Sequence, residues 1–384
     1  MKTRKSWFFI LFCLMTFSLL ATPQRDNTLR EIYKDGTVQF VPELTIDEST
    51  MPEDTFFESA VSIISDKDGY VYICDYKASN IKKFDSSGKH VKTIGRMGQG
   101  PGEFNMPFQI TVADNRLIVW DMGNSRLCIH TTDGEFVKSV SVPRDEGRPQ
   151  KMRALPNGDV IIELEKIYYG EGDKPQDCII GLYSPDLEKK KILYSQQVLR
   201  NKYMRIESMF TNIIQPFSPD VYWDISPEGK IVIAYSKEYE IDFYDSTKGK
   251  MSSFSHKYKP IRVTEKDKEA FFGGMTSTTA SGSVKQGAPD HILKYTEFPR
   301  FKPAFKEIIV DSEGNILVRA HRNNLNEEFH FMDVFEPDGK FIGNIQITED
   351  VSLPRRANIQ DGSFWSVKTD EEGLIKVIKY RISD

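Results

Sequence analysis

VSIISDKDGYVYICDYKASNIKKFDSSGKHVKTI (residues 61–94) and FQITVADNRLIVWDMGNSRLCIHTTDGEFVKSV (residues 108–140) align from end to end. Each contains an apolar alternating strand, a tight polar turn and a second strand ending in aspartate (Asp75, Asp121). An asparagine-containing loop (Asn80, Asn124), a third strand, a glycine turn (Gly88, Gly134) and a fourth strand follow. Alternation with period two marks half-buried strands. Asp and Gly in SDKDG, DSSG and TDG suit the positive φ of tight hairpins. The unit recurs with more divergence over 151–194, 221–256 and 306–347. Residues 355–384 hold only three strands, and a fourth is available in GTVQFVPELTI (Gly36–Ile46). A first strand that completes the last sheet closes a ring and removes the open edges of a linear array. Five full units and one shared unit predict an all-β, six-bladed β-propeller with four-stranded antiparallel blades.

The stretch GRMGQGPGEFNMPFQITVADNRLIVWDMGNSRL (Gly95–Leu127) resembles the repeat of NHL-type and TolB-like six-bladed β-propellers. More narrowly, it is similar to exported bacterial propellers that share a G-x-G-x-G-P-G-E-F loop. Here two residues separate the first glycines. The resemblance implies fold and export, and no reaction, because such folds host binding modules, scaffolds and some enzymes. The glycine run does not suit a nucleotide. A dinucleotide fingerprint must next open a helix whose N-terminus holds the pyrophosphate, whereas this run meets Pro101, Phe104, Pro107 and a further β pattern. Gly98, Gly100, Pro101, Gly102, Glu103 and Phe104 are therefore read as a structural crossing from blade one to blade two, with Phe104 as a plug between blades.

Outward from the repeat, residues 1–21 read as a signal peptide: Lys2, Arg4 and Lys5 precede an apolar run from Trp7 to Ala21. That run is shorter than the roughly 20 residues of a membrane span. Cys13 follows Phe12 inside the run, which excludes a lipoprotein signal there. Residues 22–384 are expected to form a single propeller domain with no stable membrane span, exported to the periplasm, cell envelope or medium. Cleavage takes the net charge from −5 to −8, so nucleic acid is not an expected partner. Apolar residues at 39% and charged residues at 28% exclude a largely disordered chain and a polytopic membrane protein. Cys74, Cys128 and Cys178 lie in apolar, strand-like settings, an odd number at irregular spacing. They are read as small buried side chains rather than a disulfide framework.

Strand direction alternates within a blade, so the A–B and C–D turns share one face and the B–C and D–A connections share the other. Every long insertion (165–177, 196–219, 262–300, 321–328) falls on the second face, which marks it as the binding side. Asn201–Phe210 is expected to form a short amphipathic helix, and Thr264 to cap a helix with Glu265 and Asp267 in its first turn. Arg96, Arg126, Tyr168, Tyr169, His321 and Arg322 are the candidate binding residues. Arginine pairs carboxylates and tyrosine stacks on sugar or peptide planes, so the expected partner is a protein segment or a glycan. No G-x-S-x-G, H-E-x-x-H or P-loop motif occurs, and no cofactor is implied. His321 and His330 flank Glu327 and Glu328 at a spacing no metal site uses, and DKDG (Asp66–Gly69) is a turn without the rest of a calcium loop. Two other classes stay open. One is a metal-dependent hydrolase or lyase of the gluconolactonase type, with Glu165, Asp224 and Glu307 as channel candidates. The other is a scaffold in a cell-envelope assembly.

Overall fold

Runs of β-branched and aromatic residues set the strands of this chain, and aspartate-led turns separate them. The computed structural model describes residues 28–34, 36, 38–53, 55–169, 174–206, 209–278, 284–321, 329–348, 359–360 and 363–383. The predicted signal peptide and Arg322 lie outside the described residues. Blade one comprises Ala60–Ser65, Val71–Asp75, Asn80–Phe84 and His90–Ile94; blade two comprises Pro107–Ala113, Arg116–Asp121, Arg126–Thr131 and Phe136–Ser141. Blade three comprises Arg148–Ala154, Val160–Lys166, Gln176–Tyr183 and Lys189–Val198; blade four comprises Val221–Ile225, Ile231–Tyr235, Glu240–Asp245 and Gly249–Ser255. Blade five comprises Phe305–Val310, Ile316–Ala320, Phe329–Phe335 and Phe341–Thr348. In blade six, Ile359–Gln360, Ser363–Thr369 and Ile375–Ser383 are completed by Gln39–Ile46, in the order expected for ring closure. Neighbouring strands are antiparallel throughout, and Phe40 faces Ile382 across the closing pair.

The core is a ring of six apolar clusters, one at each junction between blades. One joins Ile64, Tyr72 and Ile81 of blade one to Ile110, Leu117 and Val119 of blade two. Others join two to three, three to four, four to five and five to six. The ring closes where Ile46, Trp365 and Val377 meet Ile63, Ile73 and Phe84. This arrangement changes the reading of the strands. Val71–Asp75 is buried at every residue, because a second strand is covered by neighbouring blades on both faces. The outer strand Phe136–Ser141 is the one that alternates, because only one of its faces meets protein.

The turns behave as their sequence suggests. The Asp66 carboxylate accepts the Asp68 and Tyr70 amides, and Asp85 does the same for Ser87 and Lys89, so DKDG is an aspartate-pinned turn. The helix capped by Thr264 forms over Glu265–Gly273 with a reciprocal Thr264–Asp267 capping box. The helix expected at Asn201–Phe210 does not form. Asn201–Ile206 pairs instead with Met209–Ile214 as an antiparallel hairpin. A partner strand that follows at once in the chain gives the backbone a complete ladder, which outweighs weak helical periodicity. A short N-terminal helix, Leu29–Lys34, buries Ile32 and Tyr33 against blades five and six.

Candidate functional site

The crossing from blade one to blade two, residues 95–106, lies on the insertion-rich face. It is held from inside by the end of the second strand of blade two. Asp121 is fully buried and accepts the Asn105 amide at 2.7 Å, the Asn124 side-chain amide at 2.8 Å and the Arg126 Nε at 2.9 Å. The rest of the Arg126 guanidinium donates to the carbonyls of Gln99, Gly100 and Glu103. Asn124 donates to the Gly98 carbonyl. Arg96 pairs with Glu103, whose carboxylate also accepts the Gly100 amide and is held below its usual pKa by that bond and by Arg96. Phe104 is fully buried in the junction of blades one and two, and Gly95 passes so close that a Cβ there would lie 2.3 Å from its ring. Blade one has the same tie: Asp75 accepts the Glu58 and Ser59 amides and pairs with Lys82. Arg126 thus has a full set of partners within the chain, while Arg96 points outward with its side chain 81% exposed.

A second group of candidates lies across blades three to five. Tyr168 donates to Asp177 and lies under the Lys174 ammonium. Tyr169 is 55% exposed and meets Tyr203 of the hairpin edge-on at 5.8 Å. The hairpin is tied to the next insertion by Lys202–Glu297 and by Gln215, which bonds the Tyr295 carbonyl and the Glu297 amide. Phe217 then meets both Phe298 and His321. The insertions therefore form one connected canopy that carries Tyr168, Tyr169 and His321. Among the described residues, no hydrogen bond or ion pair links it to Arg96 or Arg126, whose side-chain partners lie within residues 99–121. Burial first, then Lys306 and Lys302, lowers the His321 pKa to about 3, so its imidazole is neutral at ordinary pH.

Below the canopy each proposed channel carboxylate lies beside an arginine, closely for Glu165 and Asp224 and at 3.6 Å for Glu307, whose Oε2 accepts no hydrogen bond among the described residues. Glu165 pairs with Arg148, Asp224 with Arg153 and Glu307 with Arg319. Burial works to raise the Asp224 carboxyl, but Arg153, Lys151 and the Val310 amide prevail and hold it low. Burial raises Glu307, and Arg319 and Lys151 offset that only in part. Glu163 accepts Arg200 and the Trp223 indole N–H. A divalent ion needs several oxygen ligands free of competing cations. Among the described residues, no group of three or more His, Cys, Asp or Glu side chains is placed to hold one. These side chains do not fit a metal centre of the gluconolactonase type.

Where blades four and five meet on the same face, a groove of about 630 Å³ opens beside the canopy. His256, Tyr258, Phe301 and His321 line it, with Lys257, Lys259 and Arg262 on its edge. Asp333, on its floor, accepts Tyr239 and Asn344.

Residues 52–111 match the family described as 6-bladed beta-propeller, DUF5128. Solved structures agree on the architecture. A Bacteroides fragilis protein described as exported aligns with a TM-score of 0.51 at 12% identity, over 90% of this chain and 96% of that one. A DUF4221 family member from Bacteroides vulgatus aligns with a TM-score of 0.54 at 14% identity, over 91% and 99%. No curated protein matches the sequence. The chain is a six-bladed β-propeller. Among its described residues, no helix is long and apolar enough to cross a membrane.

Sequence reasoning missed the cations of the groove. Lys257 and Lys259 precede the longest insertion, Arg262 opens it and Arg300 stands at its far end, and both guanidinium groups lie over the Phe301 ring. An HKYKPIR run with a tyrosine between two lysines was the available signal. Tyr203, which meets Tyr169 and accepts from Arg148, was hidden by the helical reading of the hairpin.

Proposed function

We propose that this protein is an exported binding module that engages a protein segment or a glycan through its insertion-rich face. The observation that carries the reading is the linkage of the insertions into one canopy bordering a groove, on one face of a ring whose other face has only short turns. Loops of this length in a compact domain are usually functional. The arginine pairing of Glu165, Asp224 and Glu307 supports binding over hydrolysis. Export rests on the positive and apolar N-terminal segment.

The test probes peptide and glycan arrays with labelled mature protein and with two variants. One variant lacks residues 276–286; the Gly287 amide already bonds the Met275 carbonyl at 2.9 Å, so the ends are adjacent for rejoining. The other carries Tyr169→Ala and Tyr203→Ala. Array binding that either change abolishes, with the melting temperature retained, is the expected result. An absence of binding, or binding untouched by both variants, would refute the reading.

A further inference from the structure

We propose that the groove between blades four and five takes an extended acidic peptide, with carboxylates at alternate positions, laid along residues 257–262. The inference rests on the reading of this face as the binding face and names its ligand class.

Three observations point to that ligand. The first is charge. Lys257, Lys259, Arg262 and Arg300 are exposed, and none has a carboxylate partner among the described residues, whereas nearby Lys302 is paired with Asp267. These cations gather on a chain of net charge −5, so the groove is complementary to an anion that the rest of the surface repels. The second is backbone. Residues 257–260 leave the outer strand of blade four without helix, turn or ladder, and the amides and carbonyls of Lys257 and Lys259 make no hydrogen bond among the described residues. Such a segment offers a partner main-chain pairing. The third is spacing. Burial alternates from His256 to Lys259: the His256 and Tyr258 rings turn inward, and the two lysines turn outward. In an extended chain, alternate residues lie about 6.6–6.8 Å apart. An Asp or Glu at every second position of a paired strand repeats at the same interval.

A carboxylated sugar chain satisfies the charge but not the unpaired amides and carbonyls, which favours peptide. Pro260 has no amide to donate, so pairing stops there. Arg262, held over Phe301, then meets a carboxylate beyond the paired stretch. The Tyr258 ring, packed on Tyr239, forms the wall against which apolar residues of the peptide lie.

The experiment measures fluorescence anisotropy of a labelled Glu-Val-Glu-Val-Glu peptide against the intact mature protein. Three comparisons accompany it: the Lys257→Glu/Lys259→Glu variant, a backbone N-methylated form of the peptide, and polygalacturonate as competitor. Both lysines are exposed, so the variant should keep the wild-type melting temperature. Reversing two exposed charges should weaken binding by about 10–100-fold, and added salt should weaken the wild-type complex. N-methylation should weaken it about tenfold through loss of main-chain bonds. Equal binding by the variant, or equal binding of the N-methylated peptide with displacement by polygalacturonate, would overturn the proposal; the second result would assign the groove to anionic glycans. Failure of the peptide to bind while array binding still depends on residues 276–286 would sink this inference alone. Failure of both would sink the broader reading as well.

Discussion

Replacing Arg126 with alanine separates a residue that supports the fold from one that waits for a ligand. The side chain is largely buried, and its loss leaves Asp121, fully buried, with two neutral amide donors and no cation. Removing one partner of a buried ion pair costs about 3–5 kcal/mol. Loss of the bonds to the Gln99, Gly100 and Glu103 carbonyls also loosens the crossing that seats Phe104. With an unfolding entropy of about 2.1 cal/mol/K per residue, a domain of roughly 350 residues loses about 4–7 °C of melting temperature for that cost. Differential scanning calorimetry of the mature protein measures it. Arg126→Lys keeps a charge near Asp121 but loses the planar fork, and should fall between the two. Arg96→Ala, at an exposed pair, should stay within about 1 °C of wild type. A wild-type melt for Arg126→Ala, or a drop no greater than that of Arg96→Ala, would refute the reasoning and return Arg126 to the ligand-binding candidates.

Gly95→Ala should destabilise strongly, because φ is +77° and the new Cβ would meet Phe104 at 2.3 Å; Gly373→Ala, at φ +87° with nothing within 4 Å, carries only backbone strain and should cost less in the same melts. In a Phe104→Ala background the Gly95→Ala penalty should shrink, because the clashing ring is gone. Cys74, Cys128 and Cys178 are free and buried, and burial raises the Cys128 thiol to about 12. A thiol reagent should therefore find none of them in the native mature protein and all three after denaturation. His321 has a folded pKa of about 3 against an ordinary 6.5, so the unfolded chain binds more protons between those values. Its contribution to stability is complete above pH 6.5 and is lost as pH falls towards 3, and His321→Gln should flatten denaturation midpoints over that window.

The repeat was legible because its signals are local. Aspartate-led glycine turns, the apolar second strands and the terminal aspartates Asp75 and Asp121 recur at nearly fixed offsets, and the missing strand of the last unit had one candidate. The site was less legible because its contacts are not local. The carbonyls that occupy Arg126 lie on residues 99–103, well before it in the chain, so the sequence shows a donor without its acceptors. The apolar residues Tyr203, Met204 and Ile206 fit a helix in isolation, and only pairing with Met209–Ile214 makes them a hairpin. The equivalence of Asn80 with Asn124 also shifts in three dimensions. Asn80 pairs with Asp75 where Arg126 pairs with Asp121, and the cation of blade one is Lys82, one alternate position further along.

That shift shows how the ring divides its labour. In blades one and two, a buried aspartate at the end of the second strand holds the incoming loop by its amides, and a cation from the third strand neutralises it. Blade one reaches the same balance from a different position, so the charge balance recurs although the residue position that supplies the cation does not. Blade three places Glu165 there, paired with Arg148, and blade four places Tyr235 there, with the next residue, Ser236, accepting the Asp220 amide. In this half the connecting loops are tied to one another instead, through Lys202–Glu297, Gln215 and Phe217. A loop held by its own blade cannot change without loss of the blade. A loop held by other loops can lengthen and alter its surface while the sheets beneath stay fixed. Substitutions in the ties of blades one and two should therefore register chiefly in stability, and exposed substitutions around the groove of blades four and five chiefly in binding.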